Sequence, residues 1–143
     1  MPKPYRIREV DGDDEVEVLT ALHHETFDPQ EAPMGDFADG YWWIAYRGDE
    51  PVAFAGICQA FLHSHVGYFS RVGVAPEHRG HRLQRRLMRC LEAKARRVGW
   101  DTIISDTRFN EPSANNLISA GYRLYTPPEP WGIRETLYWK KDI

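Results

Sequence analysis

The sequence predicts an α/β domain whose central sheet is mixed and mostly antiparallel, flanked by helices. Three observations predict it. Segments with helical spacing are interleaved with short runs rich in β-branched and aromatic residues. Two of those runs, YWWIAYR and PVAFAGICQAFL, are separated only by GDE, the composition of a hairpin turn. A third run, VGYFSRVGVA, is followed by a helical segment over residues 80–98 and then by DTIISDT, which makes one β-α-β crossover. A chain of 143 residues with 42% hydrophobic and 27% charged content is expected to form one domain, 1–143, long enough to bury a core.

The elements follow in order. YRIREV alternates as a strand does, and DDEVEVLTALHHETF places Val16, Leu19 and Leu22 at helical spacing behind an acidic first turn. PQEAPMGDFADG is a Pro/Gly-punctuated connection with room for one helical turn. The hairpin and the third strand come next. In the segment 80–98, Leu83, Leu87, Leu91 and Ala95 form one stripe with Met88 and Cys90 beside it, and Gly99 is a suitable stop. DTIISDT is a short, nearly continuous apolar strand. PSANNLISAGY is a short helix with Pro112 near its start and Gly121 at its end. GYRLYT and ETLYWKK close the chain as strands joined by the stiff link PPEPWG. The expected order is strand, helix, short helix, three strands, helix, strand, helix, two strands.

Composition excludes several classes. No apolar run reaches the roughly 18 residues of a membrane span, and MPKPYRIREV lacks the apolar segment of a secretory signal, so a cytoplasmic protein without a membrane partner is expected. Cys58 and Cys90 lack CxxC spacing or neighbouring histidines, which predicts two buried free thiols, no disulfide and no metal. Net charge is only -3, but residues 1–50 hold thirteen Asp/Glu against four Lys/Arg, whereas residues 79–97 hold eight Lys/Arg against the single Glu92. An anionic ligand suits the second stretch, and a cationic one suits the first.

The stretch HRGHRLQRRLMR sharpens this. Its arginines fall near a helix N-terminus, where the macrodipole is positive and each exposed cation costs up to about 1 kcal/mol. A bound phosphate reverses the sign. The outward N–H groups of the first turn form an anion site, Arg79, Arg82 and Arg85 become counter-charges, and Gly80 lets backbone approach ligand closely.

Read with its flanks, VGVAPEHRGHRLQRRLM followed by NEPSANNLISAGY resembles the GNAT superfamily of N-acetyltransferases. Val74, Pro76, Glu77, Arg79 and Gly80 match that family's strand, Val-x-Pro-Glu and Arg-Gly pattern, and Asn110, Ser113, Gly121 and Tyr122 match its second block. The resemblance spans residue 41 to the end and implies a GNAT-like fold. It also implies acetyl-coenzyme A as co-substrate. Val72, Gly73 and Val74 would pair with the pantetheine arm, and the backbone of Gly80, His81, Arg82, Leu83, Gln84 and Arg85 would hold the pyrophosphate with help from Arg79. Asn110 caps a helix, contacts coenzyme A, or does both; Asn116 is a further ligand candidate.

The departures from the pattern are specific. Arg82 and Gln84 stand where the signature has its second and third glycines, Leu117 where many relatives have a tyrosine that protonates the leaving thiolate, and Ser70 where a carboxylate often acts as base. Candidates for the proton relay are therefore Ser70 and Tyr68, two apart and on one sheet face, with His65 and His63 before them. Among the scattered tryptophans Trp131, in the link before the last strand, is the one that would border an acceptor pocket. The implied reaction is acetyl transfer to a small-molecule or peptide amine within a ternary complex, with a homodimer allowed. Leu117 and Ser70 keep open a catalytically silent member that binds coenzyme A or a partner. A nucleic-acid module using helix 79–97 is the rival from another class, and an acidic chain with one narrow basic strip disfavours it.

Overall fold

The computed structural model describes residues 3–27, 36–61 and 63–143. The strands are β1 (Tyr5–Val10), β2 (Tyr41–Arg47), β3 (Glu50–Gln59), β4 (Val66–Val74), β5 (Thr102–Thr107), β6 (Arg123–Leu124) and β7 (Leu137–Asp142). The α-helices are α1 (Val16–Thr26), α2 (Leu83–Arg97) and α3 (Glu111–Ser119). The strands form one sheet in the order β1-β2-β3-β4-β5-β7-β6. Pairings β1–β2, β2–β3, β5–β7 and β6–β7 are antiparallel, and β4–β5 is parallel across the α2 crossover. The mixed, mostly antiparallel sheet read from the sequence is thus present. By contact density the chain divides into two compact units, Met1–Cys58 with Ser70–Leu91, and Gln59–Phe69 with Glu92–Ile143.

In the first unit, Asp11 Oδ1 accepts the N–H groups of Asp13 (2.9 Å) and Asp14 (3.2 Å) and so shapes the turn that leads into α1. Helical spacing then carries Leu19 and Leu22 into a core with Phe37, Trp42, Ile44 and Phe54. The GDE hairpin is as tight as its composition allows, since Arg47 faces Glu50 and only Gly48 and Asp49 turn the chain. Close approach of α1 to β4 requires glycine at 73, because a Cβ there would lie 2.3 Å from Thr26 Oγ1 and 2.8 Å from the Phe54 ring.

In the second unit β4 pairs with β5 over Val66↔Thr102, Gly67↔Ile103 and Tyr68↔Ile104, and β5 pairs with β7 from Thr102↔Asp142 to Thr107↔Leu137. Burial alternates along β5. Ile103, Ser105 and Thr107 point into the interior, while Thr102, Ile104 and Asp106 stay partly exposed. Lys141 of β7 and Glu92 of α2 form an ion pair at 2.6 Å with the Tyr122 ring beside it.

Several expectations are corrected in detail. The basic helix begins at Leu83 rather than at residue 80, and a 3-10 turn over Pro76–His78 precedes it. Hydrophobic spacing reports the buried stripe, not the left-handed backbone that delays the helix start. The extra helical turn expected between α1 and β2 falls largely on residues 28–35, which lie outside the described residues; Asp36–Gly40 form turns. Cys58 and Cys90 are free, but half-buried rather than buried, with both thiols pushed up chiefly by burial. Among the described residues no helix is long and apolar enough to cross a membrane, and no cluster of His, Cys, Asp or Glu could hold a metal.

Candidate active site

The strand-to-helix turn after β4 lies in the first unit. Ala75 N–H donates to Val52 O at 2.8 Å, and the 3-10 turn closes with Arg79 N–H on Pro76 O at 3.4 Å. Gly80 then has φ +84 and Arg82 has φ +60. Leu83 is buried and anchors the helix, whose first regular bond runs from Arg86 N–H to Arg82 O at 3.1 Å. The N–H groups of a helix's first turn have no intrahelical acceptor, and no acidic side chain stands in the first turn of α2. Two of the three residues before it, Gly80 and Arg82, have left-handed φ, a backbone that can turn N–H groups toward an anion.

A Cβ on Gly80 would meet nothing within 4 Å, so its glycine serves backbone conformation rather than packing. Arg82, in the second glycine slot, adopts the conformation that glycine would adopt without strain. Holding a side chain there costs about 1–2 kcal/mol, and the exposed guanidinium is what the chain gains. Arg79 Nε donates to Val74 O at 3.4 Å, which directs that guanidinium back over the turn. Tyr5 Oη and His78 Nδ1 are hydrogen-bonded at 2.9 Å, and Arg86 donates to Tyr5 O at 3.4 Å, so β1 supports the base of the loop. His81 is exposed with its ring 5.3 Å from that of Tyr5; Gln84 and Arg85 are half-buried in the first turn.

The other sequence candidates separate by role. Val72 and Val74 are half-buried on β4, and Gly73 between them is packed under α1. Ser70 Oγ donates to Gly56 O at 3.2 Å and is thereby engaged with the neighbouring strand. Asn110 caps α3, its side chain accepting Ser113 N–H at 3.1 Å. Asn116 is half-buried within α3. Leu117 is 3% exposed, a core residue of α3. His63 and His65 are exposed ahead of β4, and His65 O accepts the N–H of Asp101 at 3.0 Å.

In the second unit the Tyr68 hydroxyl donates to Asp106 Oδ2 at 2.5 Å, and Trp131 Nε1 donates to the same oxygen at 2.7 Å. Register explains the meeting. Tyr68 faces Ile104, Asp106 is two residues further along the same face of β5, and Tyr138 lies directly opposite Asp106 on β7. Tyr68 and Trp131 were both legible as candidates; Asp106 was not. The available signal was an aspartate inside a strand, where that residue type is depleted.

The acetyltransferase (GNAT) family model matches residues 6–122. No curated protein matches the chain. Similar solved structures include the GNAT domain of S. lividans PAT, at 17% identity and a TM-score of 0.77, covering 97% of this chain and 90% of that one. An acetyltransferase from Thermus thermophilus is similar at 15% identity and a TM-score of 0.72, covering 100% of both chains. The PaiA N-acetyltransferase from Thermoplasma acidophilum, solved in complex with coenzyme A, is similar at 11% identity and a TM-score of 0.77, covering 98% of this chain and 99% of that one. With a fold shared across these proteins and a family match that takes in both the left-handed turn and α3, the chain belongs to the acetyltransferase (GNAT) family.

Proposed function

We propose that the protein transfers an acetyl group from acetyl-coenzyme A to a primary amine held in the same complex. The observation that carries this reading is the turn at Gly80 and Arg82, a set of backbone donors at a helix start with arginines around it and no acid in its first turn. The residues fit a pyrophosphate. Gly80, His81, Arg82, Leu83, Gln84 and Arg85 would present backbone donors, and Arg79, Arg82 and Arg85 would supply counter-charge. The ladder from β4 to β5 ends at Tyr68 while β4 continues to Val74, which supports Val72, Gly73 and Val74 as the strand that a pantetheine arm would join. The PaiA complex supports coenzyme A as the carrier.

The chemistry sets the remaining requirements. The amine nitrogen forms a bond to the thioester carbonyl carbon as the carbon–sulfur bond breaks, and the ammonium proton has to pass beforehand to water through a polar relay for which Ser70 and Tyr68 are the candidates, because an amine of pKa near 10 is mostly charged at neutral pH. A backbone N–H of Val72–Val74 would stabilise the oxyanion. With Leu117 in the core, water protonates the thiolate. That same burial favours a second reading, a member that binds coenzyme A without turnover.

Thermal unfolding with and without acetyl-coenzyme A tests the first half, since ligand at one hundred times its Kd adds about 2.7 kcal/mol of stability. Arg82→Glu should lower affinity at least about tenfold with the fold intact, as a charge-assisted contact is replaced by repulsion. No shift for the unsubstituted protein would overturn the reading. Thiol release across a panel of amines decides between turnover and the silent alternative.

A further inference from the structure

Asp106 is a charged group on a strand, and its two hydrogen bonds leave its charge unbalanced. Both come from neutral donors, Tyr68 Oη and Trp131 Nε1, and both fall on Oδ2. Among the described residues no Lys, Arg or His forms an ion pair with it, and Oδ1 takes no hydrogen bond. The cations nearby in the chain are directed elsewhere. Arg108 Nε donates to Arg134 O at 3.0 Å with its guanidinium 4.6 Å from the Phe109 ring, Lys140 lies 5.8 Å from the Tyr125 ring, and Lys141 is paired with Glu92. A half-buried carboxylate held by neutral donors alone leaves its negative charge available to a cation.

Its surroundings state what kind of cation fits. Trp131 stands 4.6 Å from the Tyr138 ring at 75° and 6.2 Å from the Tyr68 ring at 86°, so the indole that binds the carboxylate meets both tyrosine rings edge to face. The rings are fixed. Gly132 N–H donates to Tyr138 Oη at 2.9 Å, and Thr136 ties the following loop to Ile133 O at 2.7 Å. Trp131 is nevertheless 44% exposed, so the cluster opens to solvent. A carboxylate oxygen bordered by π faces recognises an ammonium through hydrogen bonding and cation–π attraction, and the rings favour an apolar or aromatic stem. A metal ion is disfavoured by the single carboxylate, and an anion by its charge.

We propose that Asp106, Tyr68, Trp131 and Tyr138 form a recognition site for a primary ammonium carried on an apolar or aromatic stem. Asp106 acts here as a specificity-determining residue. That this ammonium is the acetyl acceptor rests on the function proposed above; that it binds here does not.

The test follows the Trp131 indole N–H resonance, assigned with Trp131→Phe, while the protein is titrated with benzylammonium or with its neutral counterpart benzyl alcohol. Benzylammonium should shift that resonance saturably and bind at least about tenfold tighter than the alcohol, and Asp106→Asn should abolish the difference. Equal affinities, a silent resonance, or an Asp106→Asn variant that keeps the preference would each overturn the site. If Asp106→Asn does not fold, Tyr68→Phe removes one of the donors that orient the carboxylate, and the preference should fall several-fold; a preference unchanged in Tyr68→Phe counts against the site. In turnover, Asp106→Asn should raise the amine KM with acetyl-coenzyme A affinity unchanged. Absence of acetyl-coenzyme A binding would defeat the proposed reaction alone, because the titration needs no carrier.

Discussion

Arg82 shows how a single residue can depart from a family pattern in side chain while obeying it in backbone. Its φ of +60 is the conformation the missing glycine would take. Replacing it with glycine removes about 1–2 kcal/mol of left-handed strain and returns about 0.5–1 kcal/mol of unfolded-state freedom. Arg82→Gly should therefore raise stability by up to about 1 kcal/mol in urea denaturation and still weaken acetyl-coenzyme A binding, because the guanidinium is gone. Stability and affinity moving in opposite directions is the diagnostic result; a fall in both would place Arg82 in the fold rather than in the site. Residue type at 79, 80 and 82 was legible in the sequence, but the dihedral angles that make those residues a donor set were not. Asp106 was invisible for a different reason. Its partners stand 38 and 25 residues away in the chain, and no spacing rule joins them until β4, β5 and β7 are in register.

At the scale of elements, hydrophobic period carried most of the information. The stripe Leu83, Leu87, Leu91 and Ala95 is buried as its spacing predicts, and the GDE hairpin closes where the turn residues stand. Boundaries were less legible, since left-handed backbone at Gly80 and Arg82 delays the first regular bond of α2. The packing of α1 on β4 offers a direct test. Thr26 Oγ1 is held by Leu22 O at 2.7 Å and cannot easily retreat from a Cβ at position 73. Gly73→Ala should cost about 2 kcal/mol by overpacking, and adding Thr26→Ala should recover part of it. Additive losses in the double-mutant cycle would show that the two positions do not press on one another.

For the molecule as a whole, the acid limb of stability is expected to depend on His23. Its ring is 3% exposed and stacked 4.8 Å from that of Phe27, and Nε2 has no hydrogen-bond partner among the described residues. Burial, then the charges of Arg71 and His24, hold its pKa below the usual 6.5. The unfolded chain thus takes up this proton at a higher pH than the folded one. The resulting stability is fully present above about pH 6.5 and is lost as pH falls from there toward the lowered folded value. Urea midpoints measured from pH 7.5 to 5 should fall less steeply in His23→Phe than in the unsubstituted protein, and parallel curves would assign the acid limb to other groups. The sheet's two edges carry a further consequence. β6 offers only two residues for pairing, and β1 presents Arg6, Arg8 and Glu9 to solvent. Neither border gives a second molecule a long, flat, uncharged ribbon to extend, so concentrated stocks should resist growing into fibrils by strand addition.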